Sequence, residues 1–459
     1  VLSAVATVIT YFVWYRADDG VFERVPPIIR VAEQENFKGI GLGISTVKIA
    51  VGDVGAGLDE VIVRLEQHRE RIDLTKSKFS GEKSGEVVLE VGGEDYFGEE
   101  GSGNLEIKVW DKSFWSNSSE LVIPIKIDRT YPKVSVLTSQ HNGQLGGSQL
   151  VFYRSTDANL NSSGVLVSRN YFKGAKAGLI DPAIRNPDVF AVFYGLDAAS
   201  SIKETSVKLF ARDEVGNEKH GNFYNKIAKR SFRQAREVVP SFFLERMVKG
   251  LTAPYKNELG LLADDSGLAH FSLLVSKIRE IEEARIKSVI RSRGLTKLFI
   301  DSGMLPPPGA PSFRYGEFVK YVFNEQPVVE IRSTGFRLDV ASDLAVFASA
   351  TGEVILAENL SFFGKTVVVD HGMGITTTYS GLNSVLVSPG DLVNKDTAIG
   401  TSGMSGAFYR PGIYFEVRVQ GVPVTPLEWW EGAWVKSHVL DKIKEIKRLL
   451  GAVEINPLE

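Results

Sequence analysis

Six histidines must supply any nitrogen ligand for a metal in this chain, because its 459 residues include no cysteine. Thiol catalysis, disulfide frameworks and cysteine-based zinc sites are excluded by the same fact. His68, His141, His220 and His270 contain no i,i+4 or short-spaced pair, so they do not build the two-histidine helical face of a metallopeptidase. His371 stands between Asp370 and Gly372, in a turn where a structural role is expected. Asp339, in EIRSTGFRLDVAS, stands four residues after Gly335, with no histidine nearby in the sequence. A lone carboxylate does not fix zinc in tetrahedral geometry, so neither a resident metal nor another cofactor is expected.

The motifs after Asp339 are informative as an ordered set. TGEVILAENLSFFGKTVVVDHGMGITTTYSGL (351–382) is followed by VSPGDLVNKDTAIGTSGMSG (387–406) and then by GIYFEVRVQGVPVTPLEWW (412–430). This run, about a quarter of the chain, resembles the lysostaphin/LytM zinc peptidases. In active members zinc is held by the His and Asp of a His-x-x-x-Asp motif and by the second His of a His-x-His pair. Here that pair reads Gly412-Ile413-Tyr414, and the histidine of the family's Tyr-x-His-Leu motif is Gly381 after Tyr379 and Ser380. The first motif aligns in two ways. One puts Asp339 at the aspartate and Gly335 at the histidine; the other puts Arg337 and Ser333 there. Both lack the histidine.

The resemblance therefore implies a kept fold without its zinc site, and a groove widened by glycine at former polar positions. Degenerate members bind and activate cell-wall amidases, or bridge membrane complexes, through that groove. Its lining would comprise Arg337, Asp339, Tyr379, Gly381, Arg410, Gly412 and Tyr414, and aromatic and arginine residues suit a protein interface. Tyr414 has a second reading, as a plug in the emptied metal pocket. The main expectation is a non-catalytic regulator or scaffold for a cell-wall hydrolase or other envelope protein. A peptidoglycan-binding module without hydrolysis is the alternative, ahead of an active metallopeptidase with an unfamiliar site.

Around this domain the elements read as multidomain and mainly β. Short alternating runs such as VKIAV, VIVRLEQ and LEIKVWD, broken by Gly, Asp, Asn and Ser, predict an immunoglobulin-like sandwich over 20–130. A second is expected over 131–230, with Gly216 and Asn217 able to take positive φ in the turn ARDEVGN. REVVPSFFLERMVKGL and HFSLLVSKIREIEEARIKSVIRS have three- and four-residue apolar spacing, so 231–314 reads as a helical insert that covers the groove or braces the junction. LPPPGAPS (305–312) should end it. The LytM-like antiparallel β domain is placed at 315–432. A C-terminal helix and tail follow at 433–459, with Val439, Ile443, Ile446 and Leu450 on a stripe packed against its own domain.

A formal net charge of -3 and no basic stripe with interleaved aromatics argue against nucleic acid. Residues 1–15, VLSAVATVITYFVWY, carry no charge and end in an aromatic pair beside Arg16. Although shorter than the ~20 residues of a usual span, this run predicts a membrane anchor helix over 1–19, with the aromatic edge at the interface. The expected placement is single-pass in a bacterial inner membrane, with the bulk in the periplasm or otherwise outside the cytoplasm.

Overall fold

The computed structural model describes residues 20, 22–32, 37–94, 98–262, 264–300 and 302–451. The anchor expected over 1–19 lies outside them. Among the described residues no helix is long and apolar enough to cross a membrane. The chain divides into two compact units. The first runs to Lys133 and also takes in Asp157–Asn161 and Ala211–Lys219; the remainder, from Val134 onward, forms the second.

In the first unit, one sheet orders strands Ile28–Val31, Ser45–Gly52 and Ser84–Val91. Another orders Gly39–Ile40, Ser118–Ile127, Gly101–Asp111, Leu58–Gln67 and Glu70–Lys78. Every second residue of their central strands is apolar, as the two-residue repeat of a strand requires of a sheet with one face covered. Val47, Ile49, Val61, Val63, Ile107 and Ile125, drawn from both sheets, share one buried core. In the turn 214–217 it is Gly216 that takes the positive φ, +97. Asn217 keeps an ordinary φ, and its buried side chain donates to Asp128 O, Thr130 O and Asp213 Oδ2.

The second unit contains strands Ser148–Thr156 and Val189–Gly195, paired antiparallel, followed by the insert. Its first part is not helical. Gln234–Val238 is a strand, parallel to Phe318–Phe323, which pairs in turn with Gln326–Arg332. Pro240 holds the preceding residues extended, and the first helical stretch begins only after it. A longer helical run spans 267–292, capped by Ser266, whose side chain accepts from Ala269 N at 3.2 Å, with a π segment at Leu274–Ile278. The Pro-rich segment does not mark the expected boundary either. Ala310–Phe313 is the edge strand of the following sheet, an edge being where Pro311 is tolerated.

That sheet orders Ala310–Phe313, Phe336–Asp339, Gly412–Val419, Ile375–Val385, Gly364–Asp370, Gly352–Leu360 and Leu392–Val393, with shorter strands alongside. Phe243, Phe271, Leu274, Ile278, Ile286 and Ile290 of the insert share one core with Phe362, Phe363, Phe408 and Tyr414 of the sheet. The insert is thus built into the domain. Helical residues 432–449 bury Val439 and Ile446, but their partner is the strand Ser148–Thr156, in the region predicted as the second sandwich. Lys442 is also buried and donates to Leu150 O at 2.7 Å.

Candidate functional site

Six of the predicted site residues fall on three neighbouring strands, and Arg410 lies in the bend just before the middle one. Phe336–Asp339 and Gly412–Val419 run antiparallel with Arg337 opposite Tyr414 and Asp339 opposite Gly412. On the other side of Gly412–Val419, Tyr379 lies opposite Phe415 and Ser380 opposite Tyr414. The middle strand is buried along its whole length, so a side chain on it reaches solvent only where its neighbours leave an opening.

They leave none at Tyr414. The residue is 5% exposed and its ring packs against Phe313, Phe363 and Phe408 with centroids 6.3, 6.0 and 5.9 Å away. Its hydroxyl lies 3.0 Å from Thr334 Oγ1, accepts from Thr334 N at 3.2 Å and is 3.5 Å from Ser333 Oγ. Burial pushes the phenol's pKa above its ordinary value. Tyr379 is also fully buried, its hydroxyl accepting from Ser349 N at 2.6 Å and its ring against Phe415. Both tyrosines are buried, which agrees with the reading of Tyr414 as a plug and takes Tyr379 out of the groove contacts.

The glycines do not widen the site. A Cβ on Gly412 would lie 2.1 Å from Arg337 Nη1 and 2.3 Å from Leu338 O, so the guanidinium occupies that space. A Cβ on Gly381, whose φ is +77, would lie 2.8 Å from the Phe408 ring. Arg337 is 3% exposed, lies 4.8 Å over the Phe408 ring, and donates to Arg410 O. Burial lowers its pKa to about 10, leaving a full positive charge at neutral pH. Filling by Arg337 and Phe408 was missed from sequence because no local pattern links residue 408 to 381 or 337 to 412.

Two members of the predicted set remain accessible. Arg410 and Asp339 have side chains 45% and 39% exposed, 3.7 Å apart. Arg410 Nη2 donates to both carboxylate oxygens of Glu237, at 2.8 and 2.9 Å, and the Tyr409 hydroxyl donates to the same carboxylate at 3.3 Å. Glu237, from the strand Gln234–Val238, was not singled out in the sequence. Together with Phe313, Tyr321, Arg337, Phe408 and Arg410 it lines one shallow depression.

His371 has the structural role its turn suggested. It is fully buried between Thr351 O and Thr377 Oγ1, each 2.8 Å from a ring nitrogen, and burial lowers its pKa to about 4. Glu416 is buried against Arg418 at 2.6 Å, its other oxygen accepting from the Thr334 hydroxyl.

The profile of peptidase family M23 matches residues 332–426. The murein hydrolase activator EnvC of Escherichia coli is 39% identical over 124 residues, 27% of this chain and 28% of that protein. Stage II sporulation protein Q of Bacillus subtilis is 36% identical over 91 residues, 19% of this chain and 32% of that protein. The chain thus spans about a third or less of the length of these relatives. A crystal structure of a putative peptidase M23 from Pseudomonas aeruginosa aligns over 63% of this chain and 94% of its own, at 16% identity and a TM-score of 0.36. The ordered motifs and the matched segment agree, and the C-terminal part of this chain contains a LytM-type domain of peptidase family M23.

Proposed function

We propose that this chain is a non-catalytic envelope protein whose M23 domain binds and regulates, or scaffolds, a cell-wall hydrolase or another envelope protein. One observation carries the reading: the positions that would hold zinc are a packed cluster. Ligands of one ion must converge, and the residue converging on Tyr414 is Arg337, directly opposite it, with the Ser333 hydroxyl also within 3.5 Å. Gly335 has no room for a side chain, its Cβ falling 2.3 Å from Phe415 O. These contacts favour the alignment with Ser333, Arg337 and Tyr414 at the metal positions. A buried guanidinium there repels a divalent cation instead of binding one.

The relatives support the envelope setting, since EnvC is named as a murein hydrolase activator. The two regions ahead of the domain are proposed as immunoglobulin-like spacers, and residues 1–19 as a single-pass inner-membrane anchor with the bulk outside the cytoplasm. Arg410 and Asp339 are the accessible contact residues; the insert, sharing a core with the domain, braces it and supplies Glu237.

Protein purified without chelator should contain no stoichiometric zinc and release no peptide from peptidoglycan; one zinc per chain bound within 332–426 overturns the reading. Cross-linking and purification from membranes should recover a cell-wall hydrolase or envelope protein, with recovery reduced by Arg410→Glu. Sedimentation with protein-free cell walls, undiminished in that variant, would instead support binding to peptidoglycan itself.

A further inference from the structure

We propose that Glu23, Asp53 and Asp111, at one end of the first unit, form a calcium site. One carboxylate oxygen from each lies within 4.8 Å of the others. Oxygens that close can be shared by one calcium ion, which takes six to eight oxygen ligands at about 2.3–2.6 Å. All three donors are hard oxygens, which disfavours zinc.

Proximity of three acids is common without an ion; the distinguishing feature is Asp53. It is 5% exposed, and its Oδ2 accepts from Gly55 N at 3.0 Å and Gly57 N at 2.6 Å. Its Oδ1 is buried with no hydrogen-bond partner, although leaving such an oxygen unsatisfied is costly. Among the described residues, none of the three carboxylates forms an ion pair with a Lys, Arg or His. A bound cation would supply the missing partner for Asp53 Oδ1 and offset three adjacent negative charges.

The remaining ligands are held in place. Asp111 Oδ1 accepts from Ser113 N at 3.1 Å and from the Ser113 hydroxyl at 2.7 Å, and Oδ2 accepts from Asn117 Nδ2 at 2.8 Å, which leaves Oδ2 a lone pair for an ion. Glu23 Oε1 accepts from Ala56 N, and its carboxylate lies where a Cβ of Gly55 would stand. The ion would tie the residue leading into the first strand to two loops at the end of the sheets.

A second cluster in the same unit provides an internal control. Asp128, Asp157 and Asp213 likewise bring one oxygen each within 4.8 Å of the others, and Asn217 bonds Asp213 Oδ2 and Asp128 O as Asn117 bonds Asp111 Oδ2 and Glu23 O. There both oxygens of Asp213 and of Asp128 already accept hydrogen bonds, and none is orphaned. The proposal is confined to the first cluster.

The test is titration of CaCl2 into the full chain after EDTA treatment, by calorimetry and thermal denaturation. One saturable ion per chain is expected, raising the melting midpoint of the first unit. Asp53→Asn and Glu23→Gln should weaken binding about tenfold or more, with the midpoint in EDTA no lower than in wild type for Glu23→Gln, which alters a partly exposed residue. No uptake up to about 10 mM calcium, beyond the range of weak extracellular sites, overturns the proposal. So does uptake that survives both substitutions and is lost in Asp213→Asn.

Discussion

Tyr414 shows how completely one side chain can close a position. Its phenol ring packs against Phe313, Phe363 and Phe408 and its hydroxyl bonds Thr334. Replacing Tyr414 with Ala should destabilise the second unit by about 3–5 kcal/mol, the range for deleting a buried aromatic, measured as a lower urea midpoint. Tyr414→Phe should cost about 1 kcal/mol, the net worth of its hydrogen bonds. Equal losses in the two variants would mean that the hydroxyl, and not ring packing, holds the site. The ordered motifs were legible in the sequence because they are identities along the chain. The packing around them was not: Arg337 over Gly412 and Phe408 over Gly381 bring together residues far apart in sequence. That is also why an emptied groove was expected where the molecule has a filled one.

At the scale of elements, periodicity identified the helices and failed where a few residues could satisfy either repeat. Residues 270–292 have apolar positions every three or four residues, and they are helical with Leu274, Ile278, Ile286 and Ile290 buried. Gln234–Val238 is too short for its pattern to decide, and pairing with Phe318–Phe323, more than eighty residues later, makes it a strand. The helix is joined to the sheet by one side chain that periodicity does not predict, Glu282. Its buried carboxylate accepts from the backbone N–H groups of Ser361, Phe362 and Phe363 at 2.6, 2.9 and 3.2 Å, and from the Tyr255 hydroxyl at 3.1 Å. Glu282→Ala should strand those donors and cost about 3–5 kcal/mol, as does removing one partner of a buried charged network. Glu282→Gln keeps one acceptor oxygen and should lose less. Hydrogen exchange at residues 361–363 checks this, and unchanged protection in the Ala variant would show that the apolar core alone seats the helix.

For the whole molecule, sequence reading treated the region 131–230, the M23 domain and the C-terminal helix as successive modules, because local patterns contain no information on which modules share a surface. In the second unit they do share one. Arg332 donates to Ala198 O at 2.7 Å, Tyr315 to Pro423 O at 3.0 Å and Lys442 to Leu150 O at 2.7 Å. Glu428 accepts from Ser148 N at 2.7 Å and Ser148 Oγ at 3.1 Å. This seam makes stability depend on pH. Burial raises the Glu428 carboxyl from an ordinary 4.5 to about 7, against the opposing effect of the bonds from Ser148. A carboxyl with a raised folded-state pKa binds more protons folded than unfolded between those values. Its favourable contribution is complete below pH 4.5 and declines as pH rises to about 7, by on the order of 2–3 kcal/mol. Glu428→Gln removes the titration, so the variant should lose this part of the pH dependence and gain relative stability near pH 8. Hydrogen exchange in Gly412–Val419, followed from pH 5 to 8 with the intrinsic exchange rate divided out, reads opening of this unit separately from the first. The same slope in wild type and variant would move the pH dependence to another group, and the seam at Glu428 would then be held by its hydrogen bonds without a titrating charge.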